Sequence, residues 1–226
     1  MTQALSIVIP ALNEAATIEA TLRALTPLRE RGAQVIVADG GSTDATLTLA
    51  APLADHALAA PRGRARQMNA GAATARGEVL LFLHADTQLP PDSDRLIQRA
   101  LAGGAAWGRF DVCIVGRHWM LRVVAALMNA RSRSTGVATG DQGIFVRRPV
   151  FESLRGFADQ PLMEDVELCK RLLQSAGRPA CLRARVHTSG RRWETRGVWR
   201  TIFLMWRLRW RYWRGESPQT LAEAYR

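Results

Sequence analysis

The chain has 226 residues, 47% of them hydrophobic and 23% charged, and a formal net charge of +11. Length and composition are those of one globular domain, or a tightly joined pair, with a substantial core. Three scattered cysteines (Cys113, Cys169, Cys181) without Cys-x-x-Cys spacing exclude a disulfide framework and a zinc site, and leave reduced, mostly buried thiols.

Residues 5–10, Leu-Ser-Ile-Val-Ile-Pro, read as a buried strand, followed by the loop Ala11-Leu12-Asn13-Glu14. Ile18, Leu22 and Leu25 recur at helical spacing up to about Gly32, which predicts one helix. A second apolar strand over 34–39 ends in Asp39, and Gly40-Gly41-Ser42-Thr43-Asp44 then opens a helix rich in Leu and Ala. Strand, helix, strand, helix in this order predict a parallel sheet with right-handed crossovers. A weak strand near 56–60 precedes the arginine-rich stretch Arg62, Arg64, Arg66 and a helix of small residues ending near Gly77. Residues 79–86 form an apolar run that stops at His84-Ala85-Asp86, and a helix is expected over 92–101. A strand over 107–115, a helix over 118–131, a loop from Gly140 into a strand, and a helix opened by Pro149 follow. Glu164-Asp165 introduce an amphipathic helix ending at Gly177, and 180–187 read as the last strand.

Asn13-Glu14, Asp39 and Asp86 thus place polar side chains at three strand ends, on the edge where open α/β sheets bind ligands. The paired glycines let backbone approach a ligand closely. The arginine cluster supplies fork-shaped donors for phosphate. A carboxylate among arginines suits a divalent metal that bridges phosphate oxygens. His187, at the end of the last predicted strand, is a better second metal ligand than His84, which reads as a packing or supporting residue.

Taken together, the segments 7–14, 37–44, 63–71, 81–87, 143–151 and 164–171 resemble family 2 nucleotide-sugar glycosyltransferases, a family of type A, Rossmann-like fold. The resemblance runs from about Leu5 to Gly190. It implies a three-layer α/β/α architecture with a mostly parallel central sheet. It further implies that Pro10, Asn13 and Glu14 border the nucleotide, that Asp39 contacts base or ribose with Arg66 nearby, and that Ala85 and Asp86 belong to the donor site. Asp86 would ligate Mn²⁺ or Mg²⁺ through the donor diphosphate. Asp165, paired with Glu164, would be the general base, and Asp141 and Gln142 would lie near the acceptor. One departure is explicit: the family's Asp-x-Asp metal motif has His84 in its first position here, as in a small branch with His-Ala-Asp. The implied activity is inverting, metal-dependent transfer from a nucleotide-diphospho-sugar, UDP-linked by preference, to an acceptor hydroxyl. The rival readings are a nucleotidyltransferase that makes activated sugars and a non-enzymatic arginine-rich nucleic-acid-binding module. The first would want a glycine-rich phosphate loop after the first strand, where this chain has Ala-Leu-Asn-Glu; the second leaves the strand-end carboxylates unexplained.

The expected organisation is a catalytic domain over 1–190, with halves of about 1–104 for nucleotide and 105–190 for acceptor, and a basic, aromatic helical segment over 191–226. That segment holds nine arginines against three glutamates, six of the eleven net positive charges. Its Arg191 and Arg192 could reach the donor phosphates. Over 198–213 a helix would carry Arg200, Arg207, Arg211 and Arg214 on one stripe and Trp199, Phe203, Trp206, Trp210 and Trp213 on the next. The stripe suits an anionic membrane surface or a lipid acceptor, packing on the catalytic domain or a second subunit, or, least favoured, nucleic acid. The start of the chain lacks signal-peptide layout and no apolar stretch is long enough to span a bilayer, so a cytoplasmic protein is expected, peripheral at the inner membrane face.

Overall fold

The structure is a computed structural model that describes residues 4–225. Eight strands form one sheet: β1 (Leu5–Ala11), β2 (Gln34–Asp39), β3 (His56–Ala59), β4 (Val79–Phe82), β5 (Thr87–Gln88), β6 (Trp107–Val115), β7 (Ile144–Arg147) and β8 (Ala180–Ser189). Their order across the sheet is β3-β2-β1-β4-β7-β6-β8-β5. Pairs β1/β2, β1/β4, β2/β3 and β6/β8 are parallel, whereas β7 runs antiparallel to both β4 and β6.

The helices are α1 (Ile18–Ala24), α2 (Thr26–Glu30), α3 (Thr46–Ala50), α4 (Arg64–Thr74), α5 (Ser93–Ala102), α6 (Met120–Thr135), α7 (Arg148–Ser153), α8 (Glu164–Ala176), α9 (Arg191–Arg196), α10 (Val198–Trp213) and α11 (Pro218–Tyr225). Strand alternation sorts the core into two layers. Ile7, Ile9, Val35, Val37 and Leu81 face a cluster with Ile18, Leu22 and Leu28 of α1 and α2. Val8, Ile36, Leu80 and Phe82 face a second cluster with Met68, Phe151, Leu168 and Leu172 of α4, α7 and α8. Strands buried on both faces read as continuous apolar runs, and these do. The result is the expected three-layer α/β/α arrangement with a mostly parallel sheet.

Two elements differ from the sequence reading. The single helix expected up to Gly32 is two, with Leu25 ending α1 and preceding α2, because Pro27 lies in the first turn of a new helix and lacks the N–H to continue the old one. The 79–86 run is strand only to Phe82, and His84-Ala85-Asp86 form the loop beyond it. Phe82 packs against Phe151 and Phe157 at ring-centroid distances of 5.0 and 4.7 Å, which anchors the strand end where the loop departs.

The strand order reverses between β1 and β4, and their carboxyl ends open a crevice there, the switch-point geometry of open α/β sheets. Because β7 is antiparallel to β4, with Phe82 opposite Ile144, its leading turn Gly140–Gln142 arrives at the same edge. Because β8 runs parallel to β6, the chain leaving Ser189 for α9 arrives there too.

At the opposite end of the sheet, Asp55 joins α2 to β2 and β3. It accepts two hydrogen bonds from Arg29, at 2.8 and 3.2 Å, and one from the Val35 N–H at 2.7 Å. The Arg29 hydrogen bond outweighs partial burial and holds the Asp55 carboxyl below its usual range. A lowered folded pKa stabilises the fold above the unfolded value and is lost as pH falls through the folded one. Asp55→Asn should therefore lower stability by about 1 kcal/mol at neutral pH, read from urea midpoints, and the gap to the parent should close in acid.

Candidate active site

The crevice is a cavity of about 390 Å³. Pro10 and Glu14 line it from β1 and its loop, Ala85 and Asp86 from the loop after β4, and Asp141 from the turn before β7. Arg62 and Arg64 enter from the start of α4, Arg192 and Trp193 from α9, and Thr201 and Met205 from the inner side of α10.

Its floor is fixed by Gln67 of α4, 3% exposed, whose amide nitrogen donates to Ala11 O at 2.7 Å and Ala38 O at 2.9 Å. A Cβ on Gly40 would meet the Gln67 amide group at 2.9 Å, so the loop after β2 passes this clamp only because it begins with glycine. Asn13, at a φ of 55°, accepts from the Thr43 N–H at 2.9 Å and so ties the loop after β1 to that after β2. Glu14 accepts from Arg191 of α9 at 3.3 Å across the cleft mouth.

The carboxylates differ in what holds them. Asp86 has only a weak contact, Thr87 Oγ1 at 3.4 Å, and its carboxylate stands in the cleft. His84, 17% exposed, meets Asp141 through Nδ1 at 3.1 Å and packs beneath Gly140, where a Cβ would collide with its ring. Burial opposes the charge on Asp141, yet the His84 hydrogen bond and the nearby guanidinium groups of Arg64 and Arg192 prevail and hold its carboxyl below the usual range. Asp165 accepts from the Gly140 N–H at 2.8 Å and the Val166 N–H at 2.7 Å, so it sits directly behind that turn. Burial, reinforced by the charge of Asp165, pushes the neighbouring Glu164 carboxyl up.

Cations surround this group. Burial and the repulsion of Arg64 and Arg196 lower the Arg192 guanidinium to about 10, still fully charged at neutral pH. Arg131 of α6 is likewise lowered to about 10 by burial and by Arg209 of α10, and Asp165 opposes the shift of both arginines. Sequence reasoning missed Arg131 and Arg209. Their signal was available only in part: Arg209 shares the inner stripe of α10 with Thr201 and Met205, opposite the tryptophans.

Four expected positions, Arg66, Asp39, Gln142 and His187, are not among the residues that line the cavity. Arg66 turns away from the cleft and pairs with Asp159 at 2.8 and 2.9 Å, because alternate residues on a helix start cannot face one way; Arg62 and Arg64 line the cleft instead. Asp39 is buried and spends its carboxylate on its own loop, accepting from the Gly41 and Ser42 N–H groups at 3.0 and 2.9 Å. Gln142 is fully buried and its side chain accepts from the Thr139 N–H and donates to Asn129, a turn-building role. His187 lies outside the cleft: its neighbours Val186 and Thr188 point inward along β8, so alternation turns His187 to solvent.

Among the described residues no three His, Cys, Asp or Glu side chains gather as a preformed metal cage. The donor set still fits a divalent ion delivered with a diphosphate. Such ions are held through one or two carboxylates while phosphate oxygens and water complete the shell, and Asp86 offers an uncommitted carboxylate beside Arg62, Arg64 and Arg192.

A family model described as "Glycosyl transferase family 2" matches residues 6–159. The chain belongs to glycosyl transferase family 2. It is 30% identical over 160 residues to an undecaprenyl-phosphate 4-deoxy-4-formamido-L-arabinose transferase of Aeromonas hydrophila, covering 63% of this chain and 47% of that protein. It is 40% identical over 114 residues to the succinoglycan biosynthesis protein ExoA of Rhizobium meliloti, covering 44% of this chain and 33% of that protein. The chain thus spans less than half the length of these relatives. The fold is shared with S. aureus TarS in complex with UDP-GlcNAc (TM-score 0.67, 16% identity, 82% of this chain and 58% of that one). It is shared also with glucosyl-3-phosphoglycerate synthase from Mycobacterium tuberculosis in complex with Mn2+, UDP and glucosyl-3-phosphoglycerate (TM-score 0.61, 20% identity, 82% of this chain and 71% of that one). For a family 2 member, the matched segment carries the crevice floor and the β4 loop, whereas Glu164, Asp165 and the helices α8 to α11 lie beyond it.

The Gln67 clamp is open to test. Gln67→Leu removes the side-chain amide donor from the buried Ala11 and Ala38 carbonyls, of which Ala11 keeps the Gly40 N–H at 2.9 Å, and should cost about 1–3 kcal/mol, read as a lower thermal midpoint.

Proposed function

We propose that this chain transfers a sugar from a UDP-sugar to the hydroxyl of a lipid-linked acceptor, with inversion and with Mn²⁺ or Mg²⁺ bound through Asp86. The observation that carries it is the pairing of one uncommitted carboxylate with three arginines at the switch point of the sheet. Family membership and the relatives named for undecaprenyl phosphate support this reading. Arg62, Arg64 and Arg192 bind the diphosphate and stabilise its charge as it leaves. A bound divalent ion would supply further charge stabilisation of the leaving diphosphate. Pro10 and Glu14 border the nucleotide, and the loops held by Asn13 and Asp39 shape its walls. Arg191, bonded to Glu14, closes the mouth.

An inverting displacement needs a base that takes the acceptor proton as the hydroxyl attacks the anomeric carbon. Asp165 takes that role. Its two N–H donors orient it, and burial together with the Asp165 charge pushes the neighbouring Glu164 carboxyl up. Asp141, oriented by His84, positions the acceptor. One observation favours a second reading: Asp141 lines the cleft directly, whereas Asp165 stands behind Gly140.

Asp165→Asn should lower turnover by about 10²–10⁴-fold, measured as UDP release from UDP-glucose or UDP-GlcNAc, while the thermal shift caused by UDP persists. Parent-like turnover in this variant, with loss in Asp141→Asn, moves the base to Asp141. UDP with Mn²⁺ should raise the thermal midpoint more than either alone, and a ligand at a hundredfold excess over its Kd stabilises by about 2.7 kcal/mol. Asp86→Asn should abolish the metal increment and retain part of the UDP effect. No shift with any nucleotide refutes the donor assignment.

A further inference from the structure

We propose that the outer side of α10, joined by that of α6, is a docking face for a membrane surface that carries anionic lipid. The five aromatics of the α10 stripe do not pack on the domain. Trp199, Phe203, Trp206, Trp210 and Trp213 are between 53% and 78% exposed. Only the opposite side of the helix is buried: Val198 and Ile202 join the cluster that holds Leu121, Val124 and Met128 of α6, and Leu208 packs with Leu162, Met163 and Val166. Helix α6 shares that cluster, and its outer positions Leu127 and, just ahead of the helix, Trp119 are 58% and 65% exposed. Contiguous exposed apolar surface of this kind marks an interaction site in a folded protein. Tryptophan is the residue favoured where one end of a ring meets apolar chains and the other meets water.

Charge selects the occupant. A groove of about 600 Å³ between α10 and α11 is lined by Arg196, Arg200 and Arg207 with Phe203 and Tyr225, and by no carboxylate among the described residues. No ion pair engages Arg200 or Arg207 among the described residues, whereas Arg211 is neutralised by Glu216. Free cations beside an aromatic ridge fit phosphate headgroups beside acyl chains. A second copy of this chain would oppose arginine to arginine. Single-stranded nucleic acid is favoured where arginines interleave with stacking rings, and here the arginines flank an unbroken aromatic stripe. No helix among the described residues is long and apolar enough to cross a membrane, so the contact is one of lying on the surface.

The inference stands without the transfer reading, but it has a consequence for it. Thr201 and Met205, on the inner side of the same helix, line the crevice. A docked α10 would hold the crevice about one helix diameter, ~10 Å, from the lipid headgroups, within reach of an acceptor anchored there.

Flotation of the full chain with vesicles of phosphatidylglycerol and phosphatidylcholine in equal parts, at low salt, tests the proposal. The parent chain should float with these vesicles, and brominated lipid should quench its tryptophan emission. Substituting Trp206, Trp210 and Trp213 together by Ala should weaken binding roughly tenfold or more. Arg200→Gln with Arg207→Gln should remove the preference over pure phosphatidylcholine. All these positions are exposed, so an unchanged thermal midpoint verifies folding. Absence of flotation, or flotation unaffected by the tryptophan substitutions, overturns the proposal. So does a dimer in solution, or a single-stranded DNA complex, that depends on the same tryptophans while vesicles are not bound.

Discussion

Gln67 reaches from α4 to the carbonyls at the carboxyl ends of β1 and β2, and the geometry of the crevice follows from those two hydrogen bonds. Buried carbonyls at strand ends are costly to leave without a donor. The Ala11 carbonyl accepts from the Gly40 N–H as well, and one side-chain amide donates to both carbonyls. In doing so it pins the start of α4, with Arg62 and Arg64 just ahead of and at its first turn, against the loops that carry Glu14 and Asp39. A helix shifted along its axis would move the arginines and the Gln67 amide together, so the arginine-lined side of the crevice is coupled to core stability.

The side of the crevice that carries Asp141 is built on a different constraint, the reversal of β7. A parallel strand beside β4 would have delivered its carboxyl end to the crevice. The antiparallel one delivers its leading turn, and that turn is short enough to place Asp141 against His84 and the Gly140 N–H against Asp165. His84 then has a structural explanation. Where the family pattern has a second carboxylate, this chain has an imidazole that faces a carboxylate from another element, so the negative charge is supplied by Asp141 across the turn and not by the β4 loop itself. Asp86 is then left as the one carboxylate of the β4 loop that stands uncommitted in the crevice.

Helix α10 links the site to the surface. Its inner stripe closes the crevice through Thr201 and Met205, its arginine Arg209 faces Asp165, and its outer stripe is aromatic and uncovered. A helix with an ordered function on two sides has its rotation fixed by the third: Leu208 and Val198, buried among residues of α6 and the α8 start, set which way the tryptophans point.

The sequence by itself determined the layer architecture, the parallel order of the first strands and the edge at which the site forms. These depend on local signals: apolar runs of strand length, helical periodicity, and the polar residues that end each run. It also pointed to Asp86 and Arg192, which follow strand ends and line the crevice. The tertiary structure alone decided which neighbours of these residues matter. Alternation along β8 sent His187 outward, helix geometry turned Arg66 to Asp159 while Arg62 and Arg64 entered the cleft, and burial converted Asp39 and Gln142 into supports of their own turns. Arg131 and Arg209 lie far apart in the chain, on α6 and α10, and only the tertiary fold brings both within range of the Asp165 charge. Local sequence patterns specify which element a residue occupies; the direction of its side chain and its long-range partners are fixed by packing, which no single segment encodes.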